Sequence, residues 1–105
     1  MPLVEILYFE GCPNVEGARA TVERIAVDLR VETEIDLVEV ADPEAALQLR
    51  FLGSPTVRVD GRDVEPGADE RRDFAFSCRT YRGGDGFSGQ PAEVWIREAL
   101  AETRR

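Results

Sequence analysis

Two thiols are the only distinctive reactive groups in this chain. Cys12 and Cys78 are its two cysteines; it has no His, and all 13 of its basic residues are Arg. That composition removes Ser-His-Asp and Cys-His nucleophile pairs, His-based zinc sites, Schiff-base chemistry and a phosphate-loop Lys. Carboxylates, hydroxyls and two Tyr remain beside the thiols. Cys12 lies in Glu10-Gly11-Cys12-Pro13, between an apolar run and a helical pattern. A helix N-terminus favours an anion, so a thiol placed there should ionise more readily than a free one. A thiolate is the nucleophile of disulfide exchange. The bland alternative is that Cys12 is a small buried hydrophobe.

Several elements must position these sulfurs. Leu3–Phe9 is a nearly continuous apolar run, which suits a central strand covered on both faces. Val15, Ala18, Val22, Ile25, Ala26 and Leu29 recur at helical spacing, and Pro13 is expected in that helix's first turn. A second strand is predicted from about 33 to 40. Asp42-Pro43 then reads as a cap and first-turn proline for a short helix over 44–51, closed by Gly53. Thr56–Val59 and Arg62–Glu65 flank Asp60-Gly61, a hairpin signal. Pro91 opens a last helix with Ala92, Trp95, Ile96, Ala99 and Leu100 on one face, Trp95 serving as a core anchor. The order is β-α-β-α-β-β-α, a four-stranded mixed sheet flanked by three helices in an α/β domain covering 1–105. A long irregular insertion spans 66–90.

The excess of acidic residues, 21 against 13 basic, gives a net charge of −8 and argues against nucleic-acid binding. The runs Arg71-Arg72 and Arg104-Arg105 read as solvated. The N-terminus lacks a positive stretch, and Glu5 breaks its apolar run, so neither a signal peptide nor a membrane span is expected. Cytoplasmic placement follows, with the cysteines as thiols. Gly84-Asp85-Gly86-Phe87-Ser88-Gly89 spells a dinucleotide fingerprint, but no second strand follows it and it reads as a flexible loop. Asp60-Gly61-Arg62-Asp63 reads as a turn, without the ligand set of a calcium loop.

Tyr8-Phe9-Glu10-Gly11-Cys12-Pro13-Asn14, followed by Gly53-Ser54-Pro55-Thr56 and a hairpin strand, resembles the thioredoxin-like superfamily. Cys12-Pro13-Asn14-Val15 looks like the Cys-Pro-x-Cys of glutaredoxins with its second Cys replaced. The chain is also similar to a group of small bacterial thioredoxin-like proteins that share Phe51-Leu52-Gly53-Ser54-Pro55-Thr56, Asp60-Gly61-Arg62-Asp63 and Cys78-Arg79-x-Tyr81. The resemblance implies a thioredoxin-like fold with a cis-proline at Pro55 facing Cys12, and a substrate held by Pro13, Ser54, Pro55 and Thr56. It implies no bound cofactor. The partner would be a disulfide-containing protein or a low-molecular-weight thiol, with glutathione as a co-substrate. Val15 cannot resolve a mixed disulfide and falls on the apolar helix face, where it seats Cys12.

Three functions stay open. Cys12 could serve a thiol-disulfide oxidoreductase, with Cys78 or an external thiol resolving the adduct. Cys12 and Cys78 could form a two-thiolate site for Hg²⁺ or Cu⁺. The domain could instead be a catalytically inactive binding or dimerising module, in which Cys78 is a buried contact pinning the insertion. Tyr8 and Tyr81 are candidates for the groove beside the thiol.

Overall fold

A computed structural model describes residues 1–83 and 86–103. Four strands form a sheet in the order β2-β1-β3-β4: β1 (Leu3–Tyr8), β2 (Glu34–Glu39), β3 (Thr56–Val59) and β4 (Arg62–Asp63). β1 runs parallel to β2, with Ile6 opposite Leu37, and antiparallel to β3, with Ile6 opposite Val57. The sheet is therefore mixed. Three helices accompany it: α1 (Val15–Leu29), α2 (Pro43–Gln48) and α3 (Glu93–Glu102). Among the described residues no helix is long and apolar enough to cross a membrane.

The period of two along β1 explains its central place. Val4 and Ile6 point to one face and Leu7 to the other, and all three are buried. On the first face Val4, Ile6, Val57 and Val59 pack against Val22 and Ile25 of α1 and against Ile96 and Leu100 of α3. Val22 and Ile25 are fully buried, and each contributes about 1.5–3 kcal/mol relative to exposure. On the second face Leu7, Val40 and Phe51 cover Ala46 of α2. β2 is an edge strand, and its Leu37 is exposed.

Helix ends depart from the sequence reading. α2 stops at Gln48, and Gly53 does not close it. Arg50 takes the left-handed conformation instead (φ 55°), and the Phe51 N–H donates to the Ala46 carbonyl at 2.8 Å. The Arg58 guanidinium donates to the Leu49 and Arg50 carbonyls at 2.7 and 3.1 Å. These bonds satisfy the carbonyls that a helix end leaves open, so no glycine is needed there. α1 ends in the same way at Arg30 (φ 55°). At the start of α2 the expected cap is present, with the Asp42 carboxylate accepting from the Ala45 N–H at 2.8 Å. Asp60 (φ 49°) and Gly61 (φ 84°) make the two-residue turn between β3 and β4. Pro91 precedes the N-cap Ala92 of α3 and lies outside the helix.

The insertion carries more structure than its composition suggests. It holds a 3-10 turn at Ala68–Glu70 and a two-stranded hairpin of β5 (Tyr81–Gly83) and β6 (Gly86–Ser88). The glycine-rich stretch read as a loop is thus a strand over Gly86–Ser88, paired with β5; Gly84 and Asp85 lie outside the described residues. Arg71 is half-buried and holds Glu65 and Asp73 at 3.0 and 2.6 Å, so it is no solvated run. Arg104 and Arg105 also lie outside the described residues.

Candidate functional site at the Cys12 end of the sheet

Cys12 sits in the turn that joins the end of β1 to α1. Its N–H donates to the Phe9 carbonyl at 3.2 Å, which folds the turn back on the strand. The side chain is half-buried and packs against the core cluster that includes the buried Val15, Ala18 and Val22 of α1. The helix begins at Val15 with Asn14 as its cap, and the Asn14 carbonyl accepts from the Ala18 N–H at 3.1 Å. Cys12 and Pro13 therefore precede the helix, and the expectation of a first-turn Pro13 with the thiol on the helix tip is corrected. The dipole's effect falls off outside the first turn, so it reaches Cys12 more weakly than a first-turn position would allow. The Asn14 side chain makes no capping bond; its amide lies against Gly89, 2.3 Å from where a Cβ on that glycine would stand.

Ser54, Pro55 and Thr56 are buried beside this turn, just before β3, and the Ser54–Pro55 peptide is cis. The Phe9 N–H donates to Ser54 Oγ at 3.4 Å, tying the end of β1 to the residues that precede β3. Thr56 Oγ1 donates inward, to the Gly53 carbonyl at 2.6 Å. Pro13 is exposed.

Cys78 faces Ser54 across an isolated parallel bridge. The Ser54 N–H donates to the Ser77 carbonyl, and the Arg79 N–H donates to the Ser54 carbonyl, both at 2.9 Å. The Phe76 ring stands 5.3 Å from the Phe9 ring. Cys78 is exposed and is no buried pin; the backbone on either side of it fastens the segment. Both cysteines are free thiols. Their segments meet at Phe9 and Ser54, so the fold brings them to one end of the sheet although 65 residues separate them in the chain.

Behind Ser54 lies a polar cluster that sequence reading did not assemble. The Arg79 guanidinium has 1% of its side chain exposed. It donates to Asp63 at 2.7 Å, to Glu65 at 2.8 Å and to Thr56 Oγ1 at 3.0 Å. Its carbon lies 4.3 Å from the centre of the Tyr81 ring, and among the described residues its Nε has no partner. Burial works to lower the guanidinium pKa, but the neighbouring Tyr81 and the bonds to Asp63 and Glu65 together outweigh it and raise it. The Tyr81 hydroxyl donates to the Pro55 carbonyl and is almost completely buried. Burial raises its pKa well above the ordinary value, and it lines no groove open to the thiol. Trp95 is half-buried against the α1 core, with its ring 6.2 Å from that of Tyr81. The available signal was Asp63 and Glu65, two apart on an extended stretch and so on one face, with a single Arg in the Cys78-Arg79-x-Tyr81 motif.

A cleft of about 480 Å³ between β4 and α3 is lined by Asp63, Glu65, Trp95, Glu98 and Glu102 among others, and neither cysteine reaches it. Among the described residues no group of three or more His, Cys, Asp or Glu side chains could hold a metal ion. Compared with protein-family models and with curated proteins, the chain matches none.

Proposed function

We propose that this chain is a thiol-disulfide exchange protein of thioredoxin-like architecture, acting through Cys12 with Cys78 as its second thiol. A mixed four-stranded sheet in the order β2-β1-β3-β4, with α1 and α3 against one face and α2 against the other, supports this reading of the fold. The observation that carries the reading is the meeting of both cysteine segments at Phe9 and Ser54. In the reaction the Cys12 thiolate attacks one sulfur of a substrate disulfide. That S–S bond breaks, a bond from Cys12 to the attacked sulfur forms, and the other substrate sulfur leaves as a thiolate that takes up a proton. Attack by the Cys78 thiolate on Cys12 then releases the second substrate thiol. The substrate has gained two electrons and the chain ends with a Cys12–Cys78 disulfide.

The test is to treat the chain with oxidised glutathione and follow its mixed disulfides by mass spectrometry. A Cys12 adduct should form, vanish in Cys12→Ser, and persist about tenfold longer in Cys78→Ser, where no internal thiol displaces it. If Cys78 becomes labelled while Cys12 stays free, the reading is wrong.

A second reading, a binding module without catalysis, is favoured by the place of Cys12 ahead of the first turn of α1. An unreactive Cys12 in the same experiment decides for it.

A further inference from the structure

Four of the chain's 13 arginines line one cavity, although its acidic residues outnumber its basic ones by 21 to 13. The cavity, of about 240 Å³, is bordered by Arg50 just after α2, by Arg58 and Arg62 of the β3–β4 hairpin, and by Arg71 of the insertion. It stands toward the opposite end of the sheet from Cys12. Arg58 is paired with Glu5, and the Asp60 N–H donates to the Leu3 carbonyl at the start of β1, whereas Cys12 follows the end of that strand. Neither cysteine lines it. Two of the guanidiniums are held in place without a carboxylate. Arg50 lies over the Phe74 ring, 5.0 Å from its centre. Arg58 is half-buried and uses one nitrogen to donate to the Leu49 and Arg50 carbonyls at 2.7 and 3.1 Å. Among the described residues neither of these nor Arg62 makes an ion pair. Burial above all lowers the Arg58 pKa, with Arg79 and Arg50 adding to it against the pull of Asp63 and Glu5. A half-buried cation among like charges, with no carboxylate in contact, is stabilised by an anion from outside.

We propose that Arg50, Arg58 and Arg62, with Arg71 in the same wall, bind a dianionic phosphoryl group, carried by a small metabolite or free as inorganic phosphate. Charge favours this class. Asp63, also in the lining, is held by Arg79, and Arg71 is held by Glu65 and Asp73. Three unpaired guanidiniums then face one carboxylate, Asp69, that has no cation of its own among the described residues. The excess is two positive charges, which a phosphoryl dianion matches. Its charges share one centre, as guanidiniums lining one small cavity require, whereas those of a dicarboxylate stand several bonds apart. Each guanidinium fork donates to oxygens in its own plane, and a phosphoryl group offers three oxygens to separate donors. Volume sets the size. The cavity is smaller than the about 300–1,000 Å³ of sites for drug-sized ligands, so a phosphate with a few attached carbons fills it. Leu52 and Phe74 supply an apolar wall for those carbons. Because Phe74 and two backbone carbonyls already order Arg50 and Arg58, little side-chain freedom is left to lose on binding. The site stands independently of the exchange reading of Cys12.

The experiment titrates the full chain by isothermal calorimetry with inorganic phosphate, glycerol phosphate and succinate. Ionic strength is held constant, at about pH 8, where both phosphates are mainly dianions. Both should bind saturably and at least about tenfold tighter than succinate. The tighter of the two names the source, free phosphate or a phosphate ester. Arg50→Gln and Arg62→Gln change exposed side chains and leave the core intact, which a thermal melt of each variant checks. Each should weaken phosphate binding about tenfold, a hydrogen bond to a charged group being of that order. Arg19→Gln, an equally exposed change on α1, removes the same charge elsewhere and should alter binding by less than about twofold. No saturation below about 10 mM phosphate would overturn the site. Succinate binding as tightly as phosphate would overturn the phosphoryl class. Equal weakening in all three variants would also overturn the site, because net charge alone would then explain the binding. None of these outcomes bears on Cys12.

Discussion

The two sides of the Ser54–Pro55 turn are held in opposite ways. Behind it, Arg79 brings one cation to two carboxylates, a hydroxyl and an aromatic face, nearly all out of water. In front of it, the Cys12 turn and residues 75–78 rest on a few backbone bonds and one pair of Phe rings, with most side chains in solvent. Charge buried on one side fixes where the turn stands. Sparse bonding on the other leaves the Cys12 turn and residues 75–78 lightly held. The firmly and the lightly held sides thus lie on either side of one turn, and Arg79 joins them, its side chain on the first and its N–H on the second.

Substitutions behind the turn should act on stability and leave the thiol in place. The largest effect belongs to Arg79→Met, which strands Asp63 without its cation and leaves Glu65 with Arg71 alone. It should lower unfolding stability by about 3–5 kcal/mol in a urea titration. A loss below about 1 kcal/mol would show that solvent reaches these carboxylates freely and would erase the contrast. Tyr81→Phe removes the donor to the Pro55 carbonyl and leaves the ring over Arg79. It should cost about 1–2 kcal/mol by the same titration, with the reactivity of Cys12 toward oxidised glutathione unchanged. Coupled loss of reactivity would show that the anchor also orients the thiol.

The smallest effect lies at the rim. A hydrogen bond from Arg71 holds the exposed Asp73 carboxyl down to about 2, below its ordinary value. A depressed carboxylate adds stability above its unfolded pKa of about 3.9, and this is lost as pH falls from there through the folded value. Because the pair is exposed, Asp73→Asn should remove only about 0.5 kcal/mol at neutral pH and nothing once the pH is below about 2. Thermal melts of both forms at neutral and acid pH measure the difference.

Much of the scaffold was legible because its signals are local. The spacing of Val15, Ala18, Val22, Ile25 and Ala26 placed the buried face of α1, and Asp42 and Asp60-Gly61 marked a cap and a turn through their own backbone chemistry. The helix ends were harder, because Arg30 and Arg50 take a conformation in which glycine is the expected residue. The polar cluster could not be read from periodicity, since Arg79 meets Asp63 and Glu65 across separations of 16 and 14 residues. The docking of residues 75–79 along Phe51–Ser54 was equally hidden. A single parallel bridge between distant segments leaves no alternation and no turn dipeptide in the sequence. At the candidate site, Cys12 was picked out by its type and its place before a helix and Ser54-Pro55 through the resemblance, whereas what stands opposite Ser54 needed the fold.

Gly53 ties the two sides together. Its φ of 123° suits no other residue well, and a Cβ there would lie 2.8 Å from the Cβ of Arg79. A methyl group at this one position could be housed only by backing residue 79 away. That retreat would loosen the N–H held by Ser54 and draw the guanidinium off Asp63 and Glu65 at the same time. The absence of a side chain at position 53 is therefore a spatial condition of both the anchored half and the lightly held one.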